Sequence, residues 1–319
     1  MNLTQLTVFR EVMATGSISQ AAKTLNRTQP AISLSIKNLE KSLGLTLFER
    51  RGRQLLPVPE AQYLLAEASE ILDRLSTVSS TIKGLLGGAS GTLNIATMPG
   101  PSAYLFPHFI SKAIGENPNI KITLSTRSSP QIMEMAGTQN IDFGFADFDH
   151  PIGRRPQFEA EIIQANCYCA VNREHPLAIK KVITIGDLVD VPMGAMHGTH
   201  PFQRRIHHEF QKESIEYTPT IICQYFLPLI QFVGSAQCCT IVDPLTVTTE
   251  REMNLSNGNV VFVPFEASLR YEYAILKPNH RPPSQLALNI QADWKAEVLR
   301  MLTEIGAEPS TNDFAAENS

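Results

Sequence analysis

Residues 17–53 read SISQAAKTLNRTQPAISLSIKNLEKSLGLTLFERRGR, and this stretch decides the fold of the first part of the chain. Ser17 is placed to cap one short helix, and Thr28 to cap a second over residues 29–42. Pro30 fits the first turn of that second helix, where a backbone N–H would have no intrahelical partner. Two helices joined by a tight turn and followed by a basic segment indicate a helix-turn-helix that reads DNA.

The helix over residues 29–42 has two distinct faces. Apolar residues at steps of 4, 3 and 4 form a buried face from Ile32 to Leu43. A polar stripe repeats every four residues through Gln29, Ser33, Lys37 and Lys41. In the major groove the start of such a stripe faces base edges, and its lysines lie nearer phosphates. A small helical bundle with a merely solvated stripe is the alternative.

Three arginines follow in a predicted loop that is suited to the DNA backbone or the minor groove. Charge supports this reading, because residues 1–58 carry eight Lys/Arg against three Glu, a net of +5. The whole chain is at −4, so the remainder carries −9. A basic head on an acidic body lets only the head meet a polyanion. The predicted DNA-binding residues are Arg27, Thr28, Gln29, Pro30, Ser33, Lys37, Arg50, Arg51 and Arg53.

The same segment resembles the winged helix-turn-helix of LysR-type transcriptional regulators, which carry GS-x-x-x-AA-x-x-L, (S/T)QPA-x-S and LE-x-x-LG-x-x-LF-x-R elements. Leu34 departs from that pattern, which often has a basic residue there, and Arg27 stands at a usually apolar position. The matching residues are Gly16, Ser17, Ala21, Ala22, Leu25, Thr28, Gln29, Pro30, Ala31, Ser33, Leu39, Glu40, Leu43, Gly44, Leu47, Phe48 and Arg50.

Residues 59–86 are predicted to form one long helix. Leu64, Ala68, Ile71, Leu75, Val78, Ile82 and Leu85 follow one another at alternating steps of four and three, which is a coiled-coil seam. This seam favours a homodimer, as the family's linker helix does, and packing within the chain's own domain is the alternative. Residues 87–91, GGASG, are predicted to form a hinge.

From residue 92 onward short β runs alternate with helical segments, which predicts an α/β domain with largely parallel sheets. The resemblance implies a two-lobed periplasmic-binding-protein-like effector domain over residues 92–305. Lobe I is expected to comprise residues 92–164 and 270–305, and lobe II residues 165–269. Residues 306–319 lack periodicity and are predicted to be a disordered tail.

Ligands of open α/β sheets bind beyond the carboxyl ends of strands, where helix N-termini present N–H groups. Hydroxyls there suit a carboxylate, and Asp147 or Asp243 suits an amine or guanidinium, although most loop Ser, Thr and Asp residues are helix caps. The predicted effector-binding residues are Pro99, Gly100, Ser102, Thr126, Ser128, Ser129, Asp147, His197, Thr199, Phe202, Gln224, Tyr225 and Asp243.

The effector half is similar to the branch of the family that senses lysine, diaminopimelate or opines, through HPLAIKKVIT at 175–184, VDPLT at 242–246 and HRPPS at 280–284. This similarity predicts an amino-acid-like or opine-like zwitterion as effector. The partners implied are double-stranded promoter DNA, the effector, a second copy of the chain with further pairing into a homotetramer, and RNA polymerase.

Other function classes fit less well. The sequence has no P-loop, no G-x-S-x-G elbow and no H-E-x-x-H, so no enzyme activity and no cofactor are predicted. An α/β ligand-binding protein, or an enzyme acting on a small carboxylate, is the alternative. No apolar run reaches the ~20 residues of a membrane span, and no signal sequence begins the chain, so a cytoplasmic protein is expected.

The cysteines and histidines can be interpreted either as structural residues or as functional ones. Five cysteines are an odd number for a disulfide framework and lack zinc-finger spacing, so core thiols are predicted, with redox sensing as the alternative. His197, His200, His207 and His208 are irregularly spaced, and a surface or cleft role is predicted in place of a metal site.

Overall fold

The computed structural model describes residues 1–51, 54–84, 91–115, 119–148, 157–266, 269–280 and 282–314. The chain divides into two compact units, unit 1 over Met1–Ile82 and unit 2 over Lys83–Ser319. No helix within the described ranges combines the length and apolarity needed to cross a membrane.

Unit 1 is a helical domain with a hairpin. Its elements in chain order are α1 (Leu3–Thr15), α2 (Ile18–Thr24), α3 (Gln29–Leu43), β1 (Phe48–Arg51), β2 (Gln54–Pro57) and α4 (Pro59–Gly84).

Local signals explain the helix ends in unit 1. Gly16 takes φ 63° and ends α1, and Gly44 takes φ 70° and ends α3. Such left-handed conformations cost glycine nothing. The Ser17 Oγ accepts from the Gln20 N–H at 3.4 Å, so Ser17 caps α2 as predicted. Thr28 occupies the N-cap position of α3, but its side chain makes no cap hydrogen bond.

The core of unit 1 joins α3 to the other helices. Ile32 and Leu39 of α3 are fully buried against Phe9 and Val12 of α1. Ala68 and Leu72 of α4 belong to the same buried cluster. The first half of α4 therefore packs within unit 1.

The segment predicted as a basic loop is a β-hairpin. β1 pairs with β2 in antiparallel register, with Arg50 opposite Leu55 and Arg51 opposite Gln54. A Glu40 carboxylate oxygen accepts from the Leu47 N–H at 2.8 Å and ties the start of the hairpin to α3. Each strand of this hairpin has only four residues, which is too short to give a clear strand pattern in the sequence. The two strands are stabilised by pairing with each other.

Unit 2 contains two lobes built on separate sheets. The elements of its first part are β3 (Gly91–Thr97), α5 (Pro99–Ala103), α6 (Leu105–Ile114), β4 (Ile120–Thr126), α7 (Ser129–Gly137), β5 (Phe143–Asp147), β6 (Phe158–Asn166), β7 (Tyr168–Asn172) and two 3-10 helices (Pro176–Ile179, Ile185–Leu188). The elements of its second part are β8 (Gly194–Met196), α8 (Pro201–Lys212), β9 (Ile221–Cys223), α9 (Phe226–Gly234), β10 (Thr240–Val242), α10 (Pro244–Met253), β11 (Val260–Pro264), β12 (Arg270–Pro278), α11 (Gln285–Glu304) and β13 (Ser310–Phe314).

The larger sheet has the strand order β13-β6-β12-β5-β3-β4 and the smaller one β10-β7-β11, beside the parallel pair β8-β9. The expectation of largely parallel sheets is only partly met. β3 runs parallel to β4 and β5, whereas β12 is antiparallel to both β5 and β6. The reason is the route of the chain, because β6 leads out of the larger sheet and β12 leads back into it.

One helix of unit 2 was not predicted, and one prediction for this unit was wrong. Pro244–Met253 forms the unpredicted helix α10, with Asp243 as its N-cap. Its Thr248 and Thr249 disfavour a helix intrinsically, and burial of residues 244–250 overrides that preference. The predicted disordered tail contains β13, which pairs antiparallel with β6 from Ser310 opposite Gln164 to Phe314 opposite Ala160. Residues 315–319 lie outside the described residues.

Candidate functional site

Four of the nine predicted DNA-binding residues lie on α3, and Thr28 is its N-cap. Gln29, Pro30 and Lys37 are exposed and Ser33 is half-buried, while Arg27 is exposed in the turn before α3. The Gln29 amide nitrogen donates to the Ser19 hydroxyl of α2, so this side chain has a partner inside the domain.

The three arginines that follow α3 are divided by the hairpin. Arg50 and Arg51 lie in β1, and Arg53 lies outside the described residues.

The cleft between the two lobes of unit 2 gathers most of the predicted effector-binding residues. Its inner cavity has a volume of about 110 Å³. Met98, Pro101, Met196 and Phe226 give it an apolar wall. The predicted residues that line it are Pro99, Gly100, Ser128, Ser129, Asp147, Gln224, Tyr225 and Asp243.

Asp147 is the centre of a hydrogen-bond network that joins the lobes. The Ser129 hydroxyl donates to its Oδ2 at 2.9 Å, and the Tyr271 hydroxyl donates to its Oδ1. His200 Nε2 lies 3.0 Å from Oδ2. Because His200 Nδ1 accepts from the Phe202 N–H at 3.3 Å, Nε2 is the nitrogen that donates to Asp147.

This network keeps Asp147 ionised. Burial by itself would raise the pKa of Asp147, but hydrogen bonds led by the one from His200 outweigh burial and lower the pKa below its ordinary value. Three of the roughly four acceptor positions of the carboxylate are used, so one remains for a ligand.

Asp243 is first of all a helix cap. Its carboxylate accepts from the Thr246 N–H at 3.2 Å, from the Thr246 hydroxyl, and from the Tyr273 hydroxyl at 2.6 Å. Burial raises the pKa of Asp243 to about 6, and the nearby charge of Asp147 adds to this against the hydrogen bonds from Thr246 and Tyr273. Here too one acceptor position is left at the cavity wall.

An outer cavity of about 930 Å³ adjoins the inner one, since both are lined by Pro99, Ser128, Gln224 and Tyr225. Ser102 and Thr126, both predicted, line this outer cavity. Among its described lining residues Arg127 is the single charged side chain, and its Nη1 donates to the Thr126 carbonyl at 2.8 Å.

Three predicted residues do not line either cavity. His197 and Thr199 are exposed, and Phe202 is 1% exposed in the core beside the cleft. The Phe202 ring packs edge-on against Tyr271 with centroids 4.7 Å apart. It therefore supports a wall residue and does not reach the cavity.

Five polar residues that line the two cavities are absent from the predicted effector-binding set, namely His200, Tyr271, Arg127, Gln131 and Gln231. For His200 the sequence predicted only a surface or cleft role. His200 precedes a proline at a helix start, the position of an N-cap, and this signal was available. Arg127 directly follows β4, so the rule that ligands bind beyond the carboxyl ends of strands also indicates it. Tyr271 lies inside β12, so no strand-end signal pointed to it.

The cysteines behave as interior thiols. Cys167, Cys169, Cys238 and Cys239 are buried, and Cys223 is half-buried. Burial raises the pKa of each of these thiols, for Cys238 to about 11 and for Cys239 to about 12. Within the described residues, no group of three His, Cys, Asp or Glu side chains is arranged to hold a metal ion.

Two family models match the chain. Residues 3–62 match "Bacterial regulatory helix-turn-helix protein, lysR family", and residues 86–292 match "LysR substrate binding domain".

Curated relatives are similar over nearly the whole chain at low identity or over about half of it at higher identity. The chain is 24% identical to the transcriptional activator protein LysR of Escherichia coli over 96% of both chains. It is 36% identical to the octopine catabolism/uptake operon regulatory protein OccR of Rhizobium meliloti over 46% of this chain and 49% of the relative.

Solved structures share the fold. Full-length CbnR complexed with its target DNA superposes with a TM-score of 0.69 at 21% identity, over 94% of this chain and 100% of that one. Full-length BenM superposes with a TM-score of 0.52 at 22% identity, over 93% and 98%.

Proposed function

Because the chain belongs to the LysR family of bacterial helix-turn-helix regulators, we propose that α3 reads promoter DNA and that the cleft of unit 2 binds a zwitterion that controls this reading. The chain is a DNA-binding transcription regulator with an effector-binding domain and not an enzyme. The residues that perform each task, and the effector's chemistry, are what we propose.

The exposed face of α3 beside the β1-β2 hairpin carries the proposal for DNA. Arg27 lies two residues before α3 and Lys37 lies in the middle of α3, and both are exposed cations. Thr28 leaves its hydroxyl unused at the N-cap, where a phosphate oxygen is favoured by the helix N–H groups. Gln29 lies at the start of α3, where a side chain faces the base edges of the major groove. On binding it exchanges its hydrogen bond to Ser19 for one to a base. Arg50, Arg51 and Arg53 bind the backbone or the minor groove, and Pro30 and Ser33 complete the surface.

This assignment is tested with a duplex selected from a random library by the full-length protein. Lys37→Ala should weaken binding to all DNA and flatten the salt dependence by about 0.9 log units per log salt, the slope of one phosphate contact. Lys121→Ala, the same change on exposed β4 of unit 2, is the matched control and should leave both unchanged. Equal effects of the two variants would show that α3 is not the DNA surface.

The two cavities of the cleft carry the proposal for the effector. Two buried carboxylates, Asp147 and Asp243, face the inner cavity, each with one acceptor position left. A cationic group there relieves the repulsion between them. Arg127 and the Thr126 hydroxyl suit a carboxylate in the outer cavity. The Ser102 and Ser128 hydroxyls donate to the Pro99 carbonyl at 2.8 Å and to the Gln131 side chain at 3.0 Å, and they exchange these partners for the carboxylate. Thr199 was assigned the same role from the sequence.

An effector with a cation at one end and a carboxylate at the other fits this division of charge. The regulators OccR, named for octopine, and LysR are among the relatives, which supports an opine-like or amino-acid-like compound. The inner cavity is small, so we propose that it takes the cationic end and the outer cavity takes the rest.

Calorimetry with the full-length chain tests this class of effector with lysine, diaminopimelate and octopine as probes. At least one zwitterion should bind, and Arg127→Ala should weaken it by tenfold or more, whereas Lys121→Ala should not. Binding of a neutral or purely anionic compound in place of every zwitterion would contradict the class.

Assembly and layout complete the proposal. Ile71, Leu75 and Val78 of α4 are each more than 40% exposed. We propose that they meet a second copy of the chain, that dimers pair into a homotetramer, and that RNA polymerase is a further partner. The lobes are proposed as residues 92–164 with 270–305 and residues 165–269, after a linker over 59–86 and a hinge over 87–91, of which 85–90 lie outside the described residues.

A further inference from the structure

Leu34 is an aliphatic side chain placed in water on the DNA-reading helix. It is 59% exposed, whereas Ile32 and Ile36 on either side in the sequence are buried. It belongs neither to the buried cluster of unit 1 nor to the partly buried side chains that pack against that cluster. The fold of unit 1 therefore does not need a leucine at this position.

Helix geometry places Leu34 at the centre of the outermost row of α3. At 100° per residue, Leu34 points about 160° from Ile36 and Ile32, which define the buried direction. Residues three, four and seven positions away share its face. The row through Leu34 therefore contains Pro30, Lys37 and Lys41, all exposed.

This row differs from the polar stripe that the sequence suggests. Ser33, the second member of that stripe, is half-buried, and Gln29 is bonded to Ser19. The Gln29 side chain therefore lies toward α2. The part of α3 that would enter a groove most deeply is Pro30 and Leu34, with lysines following them.

We propose that Leu34 selects thymine in the operator by packing against the C5 methyl group of that base. The inference rests on the proposed placement of α3 in the major groove. Thymine alone presents an apolar group at the major-groove edge, while the other bases present donors and acceptors there. Burying Leu34 against a polar edge would strip that edge of water without replacing its hydrogen bonds.

The charge around Leu34 determines which occupant fits. Lys37 and Lys41 follow it on the same row, and Arg27 precedes α3, so the apolar spot is set among cations. Such a surface complements a polyanion with an apolar group inside its groove. An apolar protein partner would have to desolvate the same lysines without phosphates to pair with them.

Deoxyuridine is the probe for this contact, because it differs from thymidine only by the absent methyl group. The full-length protein first selects a duplex from a random library, and each thymidine is then replaced singly by deoxyuridine. We expect one replacement per half-site to weaken binding about fourfold, the effect of one buried methyl group. Other replacements should have little effect.

Leu34→Ala closes the thermodynamic cycle. This variant should bind the thymidine duplex about fourfold more weakly per half-site and should lose its sensitivity to the same replacement. Leu45→Ala removes another exposed leucine of unit 1, 40% exposed and outside the row, and should keep the sensitivity. Both positions are exposed, so folding is retained, and circular dichroism checks this.

The outcomes separate the two proposals. A Leu34→Ala protein that is as sensitive to deoxyuridine as wild type, or a wild-type protein insensitive at every thymine, overturns the thymine contact but leaves α3 as the DNA surface. Failure of the wild-type protein to select any duplex overturns both.

Discussion

Asp147 and Asp243 lie in one cleft with opposite electrostatics. Asp147 receives hydrogen bonds from His200, Tyr271 and Ser129, which lower its pKa despite burial. Asp243 also accepts three hydrogen bonds, from the Thr246 N–H, the Thr246 hydroxyl and the Tyr273 hydroxyl, but burial and the nearby charge of Asp147 outweigh them, so its pKa rises to about 6. A second negative charge beside Asp147 is therefore unfavourable, and a cationic ligand group would make it favourable.

The raised pKa of Asp243 predicts a pH dependence of stability. A folded pKa above the ordinary 3.8 means that the native state binds the proton more tightly than the unfolded state. The resulting stabilisation is complete below about pH 4 and is lost as pH rises through 6. Asp243→Asn has no carboxyl group to lose this proton, so the difference between its Tm and that of wild type should become more positive from pH 4 to pH 7. Scanning calorimetry measures this difference.

Asp187→Asn is the control for that series. The Lys180 hydrogen bond lowers the pKa of Asp187, so its contribution is present above its ordinary pKa and is lost only as pH falls further. The Tm difference of this variant from wild type should change below about pH 4 and stay level from 4 to 7. A level difference for Asp243→Asn over the same range would show that Asp243 titrates normally.

Single residues also show where sequence reasoning reaches its limit in the site. The strand-end rule located Asp147, Ser129 and Tyr225, because the fold class alone determines where strands end. It misjudged Phe202, since a position one residue inside α8 gives no information on which way the ring turns. Tyr271 was out of reach, because its role depends on a hydrogen bond to a residue 124 positions away.

At the scale of elements, α4 is divided in its use. Ala61, Ala68 and Leu72 are buried in the core of unit 1, while Ile71, Leu75 and Val78 are exposed. The apolar seam that is continuous in the sequence is thus divided between two roles. Its first part packs in the core of unit 1, and its second part, from Ile71 onward, is exposed within the described chain and can contact another molecule. Periodicity predicted the helix well but could not divide the seam, which depends on tertiary packing.

Aspartate at both Ile71 and Leu75 should convert a dimer into monomers. Two charges per chain would be buried across the interface, at a cost of several kcal/mol. Ultracentrifugation should show the loss of the dimer, and tight binding to an inverted-repeat duplex should disappear with it. Ser76→Asp, on an exposed position of α4 away from the seam, should remain dimeric. A double variant that is still dimeric would place the interface elsewhere.

β13 is an element held by a distant partner. It pairs with β6, some 150 residues earlier, and is preceded by the buried Ala307, whose carbonyl accepts from the Asn166 N–H at 2.8 Å. The Glu308 carbonyl accepts from the Arg270 guanidinium at 2.6 Å. Polar residues without alternation give such an edge strand no local signature, which is why the sequence predicted disorder.

Ending the chain after residue 309 should therefore destabilise unit 2. The outer edge of β6 would lose its backbone partners, each net hydrogen bond contributing about 1 kcal/mol. We expect Tm to fall by several degrees and light scattering to report self-association through the unpaired edge. A chain ending after Phe314, which keeps β13, is the control. Identical melting of the two truncated chains would mean that β13 adds no stability.

At the scale of the whole molecule, two tasks fall to two units, and the excess of positive charge is confined to the start of unit 1. Residues 1–58 carry a net +5, and the remainder carries −9, so only the first part is attracted to DNA over a distance. The cleft that we propose for the effector lies wholly within unit 2, between lobes that the chain connects twice. A ligand that prefers one lobe arrangement can shift DNA binding by no more than that preference.

Coupling between the units is reciprocal in its thermodynamics. If the effector changes DNA affinity by some factor, DNA must change effector affinity by the same factor. Ser129 and Asp147 belong to one lobe and His200 and Asp243 to the other, so a ligand that touches all four would bind one arrangement of the lobes preferentially.

Asp243→Asn should separate the two tasks. We expect this variant to lose the effector's influence on DNA binding, because its neutral amide no longer attracts the ligand cation. Affinity for the selected duplex without effector should stay within about twofold of wild type, since the change lies in unit 2, outside the basic segment. Calorimetry with lysine, diaminopimelate and octopine would measure the loss directly, and anisotropy would measure DNA binding in the same preparations. Asp187→Asn, which removes a carboxylate outside both cavities, should respond to effector as wild type does. An Asp243→Asn protein that binds the responsive compound with unchanged affinity would refute the assignment of Asp243 and leave Asp147 as the acidic group that faces the cation.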